Sequence, residues 1–112
     1  MNAYDKMLKD ELQKKYSNVQ SVMRDYRTWA RAMVNGTKTR INKPEWNTAE
    51  ENRLYTLAVV AELRRQHPET MTINYDLIPY PITLSDLRIL QDEYIIDIFR
   101  VAHPYQLVFL LA

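Results

Sequence analysis

Thr48-Ala49-Glu50-Glu51-Asn52-Arg53-Leu54-Tyr55-Thr56-Leu57-Ala58-Val59-Val60-Ala61-Glu62-Leu63-Arg64-Arg65-Gln66-His67-Pro68 is the stretch that decides the fold. It opens on a capping box, Thr48 to Glu51, whose side chains can satisfy backbone donors that a helix start leaves free. Leu54, Leu57, Ala58, Ala61 and Leu63 then recur at helical steps, and Val59 and Val60 widen the apolar arc. His67-Pro68 ends it, because the residue before a proline is pushed out of the helical region. A helix apolar over so much of its circumference needs neighbours on several sides, so the pattern predicts a central helix with others packed around it.

On the N-terminal side, Tyr4, Leu8, Leu12, Tyr16, Val19, Met23, Tyr26, Ala30 and Met33 follow one another at steps of three or four. Ser17-Asn18-Val19-Gln20 has the form of a second capping box, which leaves two readings open: one long helix, or two with the second starting near Asn18. Asn35-Gly36 supplies a left-handed residue to stop it, and the polar run from Thr37 to Asn42, closing at Pro44, reads as a loop.

On the C-terminal side, Met71, Ile73, Tyr75 and Leu77 alternate with Thr72, Asn74 and Asp76, the period of a half-buried strand, until Pro79 and Pro81 end it. Thr83 to Asp86 caps a third helical region whose buried arc takes Leu84, Leu87, Leu90, Tyr94, Ile98 and Val101 up to His103-Pro104. The uncharged tail, Tyr105 to Ala112, is expected as a strand against residues 71–77 or as a short buried helix. A 36-residue offset lays Leu54 on Leu90, Val59 on Ile95, Val60 on Ile96, Leu63 on Phe99 and Arg64 on Arg100. That raises an internal duplication against the simpler account of two amphipathic helices with one stop signal. The expected fold is mainly α: three to four helices packed around residues 48–66, with a small two-stranded β element from residues 71–77 and 106–111, in one domain spanning residues 1–112.

Composition removes several classes of function. The chain has 112 residues with 46% hydrophobic and 26% charged, the balance of a packed domain and not of a disordered one. It has no cysteine, which excludes disulfides, thiolate metal sites and cysteine nucleophiles. Gly36 is the single glycine, which excludes Gly-rich phosphate loops. Residues 1–15 lack the apolar run of a secretory signal, so Asn35-Gly36-Thr37 reads as a helix stop before it reads as a glycosylation site. The longest apolar run, Leu107 to Ala112, is far short of a membrane span. The expected location is the cytoplasm.

Ser17 and Ser85 sit where caps are wanted, no serine lies in a nucleophile elbow, and His67 and His103 have no accompanying ligand motif. The chain is therefore expected to have no catalytic residues, no metal and no cofactor. Asp86, Glu93 and Asp97 fall on one face of the expected third helix, where they read as a solvated face that could attract a basic surface.

A net charge of +1 conceals a division. Residues 1–47 carry ten Lys and Arg against five Asp and Glu, and residues 48–112 carry five against nine. Arg24, Arg27 and Arg31 share one helical face, with Trp29 beside them, and the following loop adds Lys38, Arg40 and Lys43. Such a stripe suits nucleic acid, with cations on phosphates and a ring for stacking, or an acidic partner. It equally suits a solvated face, or one docked on the acidic half of the same fold. The pI of 8.0 is lower than a dedicated nucleic-acid module usually shows.

Among the eight tyrosines, Tyr4, Tyr16, Tyr26 and Tyr94 lie on apolar stripes and are assigned to the core. Ile78, Tyr80 and Ile82, set among Pro79 and Pro81, read as a rigid contact loop, and Phe109 in the apolar tail reads as core or interface. These features add up to an expected non-catalytic interaction module that binds a partner protein as a regulator or inhibitor. Its size would suit a phage or mobile-element accessory protein. Nucleic-acid binding through residues 24–43 is the first alternative, and a self-assembling structural subunit, a homo-oligomer, is the second.

Overall fold

Two asparagines start the first two helices. The computed structural model describes residues 2–35, 49–70, 72–74, 84–100 and 105–111. Helix α1, Ala3–Gln13, is capped by Asn2, whose side chain accepts from the Asp5 backbone N–H at 2.8 Å. Helix α2, Val19–Val34, is capped by Asn18, which accepts from the Ser21 N–H at 3.4 Å. The N-terminal stretch is thus two helices, and the cap falls one residue later than the Ser17 box predicts. The break lets α1 and α2 fold back on each other, and each also packs on helix α3, Ala49–Gln66.

Helix α3 is the centre of the molecule. Every residue from Leu54 to Leu63 is buried, and α1, α2 and helix α4, Leu84–Asp92, all pack against it. Thr56 is accommodated there because its hydroxyl donates to the Asn52 carbonyl at 2.8 Å. The helix ends before His67-Pro68, as the sequence predicts.

Strands β1, Thr72–Asn74, β2, Ile96–Arg100, and β3, Tyr105–Phe109, form an antiparallel sheet in the order β1-β3-β2. Ile73 pairs with Leu107, and Leu107 with Ile98, so these three side chains share one face. That face meets the helices: Ile73, Leu107, Ile96 and Phe109 are buried in the same core as Tyr4, Leu8, Met23, Leu57 and Leu90. The expected pairing of residues 71–77 with 106–111 is present over Thr72–Asn74, and Tyr75 and Leu77 lie outside the described residues.

The third helical region is corrected. It stops at Asp92, and Ile96–Arg100, expected in the same helix, is a strand, making the sheet three-stranded instead of two-stranded. The step of four from Tyr94 to Ile98 fits a helix, but it is also twice the strand period. The run Ile95-Ile96-Asp97-Ile98-Phe99 is dominated by β-branched and aromatic side chains, which lose least by extending. Two further expectations fall with it. Val59 to Leu63 is helix whereas Ile96 to Phe99 is strand, so the duplication has no structural counterpart. Asp86, Glu93 and Asp97 do not share a helical face: Asp86 accepts from Asn52, Glu93 from Arg53, and Asp97 from Gln91 and its own neighbour's N–H at Ile98.

Candidate functional site

The apolar stripe of α2, with Met23, Tyr26 and Ala30 buried, sets the arginines along its margin. Arg27 Nε lies 3.8 Å from Oδ1 of Asp5 on α1, and Arg31 Nε lies 3.6 Å from Oε1 of Glu62 on α3. Both carboxylates are buried. Burying such a charge costs several kcal/mol unless it is paired and hydrogen-bonded. Arg65, one turn below Glu62 on α3, supplies the pairing. Its Nη2 donates to both oxygens of Asp5 at 2.8 and 2.6 Å, and its Nη1 donates to Oε2 of Glu62. Gln66 Nε2 completes the set by donating to Glu62 Oε1 at 3.2 Å and to Asn35 Oδ1 at 2.9 Å. Three helices are thereby joined through one charged cluster.

Two members of the predicted stripe belong to this cluster, Arg27 and Arg31, while Arg24 stays outside it with a 3.4 Å hydrogen bond to the Ser21 hydroxyl. Lys38, Arg40 and Lys43 lie outside the described residues. Trp29 is corrected: its ring is buried, edge-on to Tyr55 with centroids 4.2 Å apart, so it offers no face to a base. Tyr26 is buried against the same Tyr55 ring at 4.7 Å. Sequence reasoning missed Asp5, Glu62 and Arg65. For Glu62 a signal existed, since it is the one charged residue between Leu54 and Leu63 and a carboxylate in such a run needs a cation.

A second cluster forms where α4 turns into β2. The Ile95 N–H donates to the Leu90 carbonyl at 3.2 Å and the Tyr94 N–H to the Gln91 carbonyl at 2.9 Å. That is the Schellman pattern, and the two apolar residues that flank its turn, Leu90 and Ile95, are both buried. The residue at its left-handed position is ordinarily glycine. Here it is Tyr94, with φ of 60°, and its side chain does not repay the conformation by burial, because Tyr94 is 82% exposed. Tyr94 and Tyr16, both assigned to the core by periodicity, are corrected to exposed positions at helix ends.

Beneath Tyr94, the Ile95 carbonyl accepts from the Tyr4 hydroxyl at 3.1 Å and from the Leu110 N–H at 3.3 Å, while the Tyr4 oxygen accepts from the Leu111 N–H. Burial raises the Tyr4 pKa above its ordinary value. Leu110 is 48% exposed beside this junction. Glu93, preceding Tyr94, accepts from Nε and Nη2 of Arg53, and these hydrogen bonds hold its carboxyl below the ordinary carboxylate pKa. Arg53 also lies 3.8 Å from Glu11 of α1.

Phe109, read as core or interface, is core: it is buried, edge-on to Tyr4 at 5.7 Å, with the Arg64 guanidinium 5.3 Å from its ring centroid. Ile78, Tyr80 and Ile82 lie outside the described residues. Among the described residues no helix is long and apolar enough to cross a membrane, and no three His, Asp or Glu side chains are grouped as metal ligands. No family model, curated protein or solved structure matches the chain.

Proposed function

We propose that the chain is a small, non-catalytic interaction module of the cytoplasm, which binds a partner protein and through it regulates or inhibits a larger assembly, as phage and mobile-element accessory proteins do. The observation that carries this reading is Tyr94. A left-handed conformation costs a non-glycine residue about 1 kcal/mol, and an exposed ring recovers none of that within the monomer. Tyrosine is also among the residues that most often dominate binding energy at protein interfaces, through rigid area and a polar tip. A local cost that the ring itself does not recover, combined with a presented aromatic side chain, supports a contact role for Tyr94.

The nucleic-acid alternative loses part of its support, because Trp29 and Tyr26 are in the core and Arg27 and Arg31 face internal carboxylates. Affinity capture from source cells with wild type and Tyr94→Gly separates the two. Glycine suits the turn, so the variant keeps its fold while losing the ring. The expected result is a protein partner retained after nuclease treatment and depleted about tenfold by the substitution, the loss of a modest hot spot. Capture that is unchanged by Tyr94→Gly, or that yields nucleic acid in place of protein, overturns the reading.

A further inference from the structure

The charged cluster joining α1, α2 and α3 has more cation than its own carboxylates use. All four carboxylate oxygens of Asp5 and Glu62 already accept hydrogen bonds, three from the Arg65 guanidinium and one from Gln66. Arg27 and Arg31 approach the same carboxylates at 3.8 and 3.6 Å, beyond hydrogen-bond distance. Neither guanidinium donates a hydrogen bond to any of the described residues, and the Nε of Arg27 is buried without an acceptor. Three guanidinium groups therefore face two carboxylates, and each carboxylate oxygen already accepts one hydrogen bond from Arg65 or Gln66.

We propose that Arg27 and Arg31 form a carboxylate-reading site that takes an acidic segment of a partner protein. The inference rests on the partner-protein reading above for the kind of molecule that supplies the acid. Each guanidinium approaches its internal carboxylate through Nε, and the two side chains are 35% and 61% exposed. A fork held in this way has lost much of its rotamer freedom before the ligand arrives, which lowers the cost of binding. Its planar donors match a carboxylate two bonds at a time. Arg27 and Arg31 are four residues apart, about 6 Å along the helix axis, the separation of two carboxylates one turn apart on a partner helix. Arg24, one turn earlier on the same margin, extends the positive surface. A nucleic-acid strand would find the cations here but could stack on neither Tyr26 nor Trp29, since both are buried.

The test is fluorescence anisotropy with a labelled 15-residue Ala-rich helical peptide carrying Glu at repeated i and i+4 positions. A Gln-substituted peptide and a single-stranded oligonucleotide serve as the other probes. Wild type is expected to bind the Glu peptide more tightly than either. Arg27→Gln with Arg31→Gln should weaken that binding by about tenfold, and Lys14→Gln with Arg88→Gln, which removes the same charge elsewhere, by less than about twofold. Equal losses in the two double variants reduce the effect to net charge and overturn the site. So does tighter, Arg27- and Arg31-dependent binding of the oligonucleotide, which would make the surface a phosphate reader. Should the arginine variant fail to fold, NMR titration of the wild-type protein decides the matter. The Glu peptide must shift the Nε–H resonances of Arg27 and Arg31, and shifts confined to other regions overturn the proposal. Loss of peptide binding with Tyr94-dependent capture intact removes this site alone, whereas the reverse removes the partner reading of Tyr94 and leaves the carboxylate site standing.

Discussion

Glu93 and Tyr94 are neighbours with opposite energetic standing. Glu93 is held by Nε and Nη2 of Arg53, and its folded pKa is lowered. A carboxylate with a depressed folded pKa adds stability that is fully present above its unfolded pKa and is lost as pH falls through the folded value. Glu93→Gln should therefore be less stable than wild type at pH 7, by a few tenths to about 1 kcal/mol for a partly exposed pair. The gap should close as pH is lowered below the ordinary carboxylate range, and denaturant unfolding at a series of pH values checks it; a gap that persists at the acid end contradicts the assignment. Tyr94 has the reverse sign. Tyr94→Gly should raise stability by about 0.5–1 kcal/mol, because glycine adopts the left-handed position without a Cβ clash. A fall in thermal midpoint would show that the exposed ring contributes to the monomer and would remove the main support for its role in binding. Neither residue's standing is visible in a one-dimensional pattern, since Glu93 depends on Arg53, forty positions away in the chain, and Tyr94 on a turn that only the hydrogen bonds define.

At the scale of elements, β3 is the strand on which the sheet depends. It pairs with β1 on one side and β2 on the other, and Leu107 at its middle is fully buried between Ile73 and Ile98. Leu107→Ala should cost about 2–5 kcal/mol, the range for a leucine truncated in a packed core. Val108→Ala, on the half-buried opposite face, should cost much less, and chemical denaturation of both variants tests whether the core lies on the side described. Legibility differed among elements for physical reasons. Helix α3 carries its own periodicity and the start of α2 its own cap, so local chemistry suffices; the Thr48 cap expected for α3 lies outside the described residues. Strand β2 follows a helix without an intervening glycine or proline, at a step that serves both periods, and its extension is decided by pairing with β3.

For the molecule as a whole, one core collects residues from all the described helices and strands. The apolar tail spends Leu107 and Phe109 on that core, which leaves Leu110 as its exposed large side chain among the described residues. The self-assembly alternative, which draws on the apolar tail and on the opposite charges of the two halves, loses Leu107 and Phe109 as contact surface. The purified protein is expected to remain monomeric across a concentration series followed by light scattering. A mass that rises with concentration and falls with salt would instead point to the positive and negative halves docking between copies. Part of that charge division is already spent inside the chain, where Arg31 of the basic half lies 3.6 Å from Glu62 of the acidic half.

By itself the sequence determined the mainly helical class, the central position of α3, the strand at Ile73 and the placing of three arginines on one margin of α2. Each of these follows from capping, periodicity or helical spacing, which act over a few residues. The tertiary structure decided which charges are answered, which aromatics are presented and where α4 gives way to β2. Those outcomes depend on contacts between segments distant in the chain: Asp5 with Arg65, Trp29 with Tyr55, Ile98 with Leu107. Burial converts a local preference into a commitment only when a second segment supplies the partner, and no window of sequence shorter than the fold contains both.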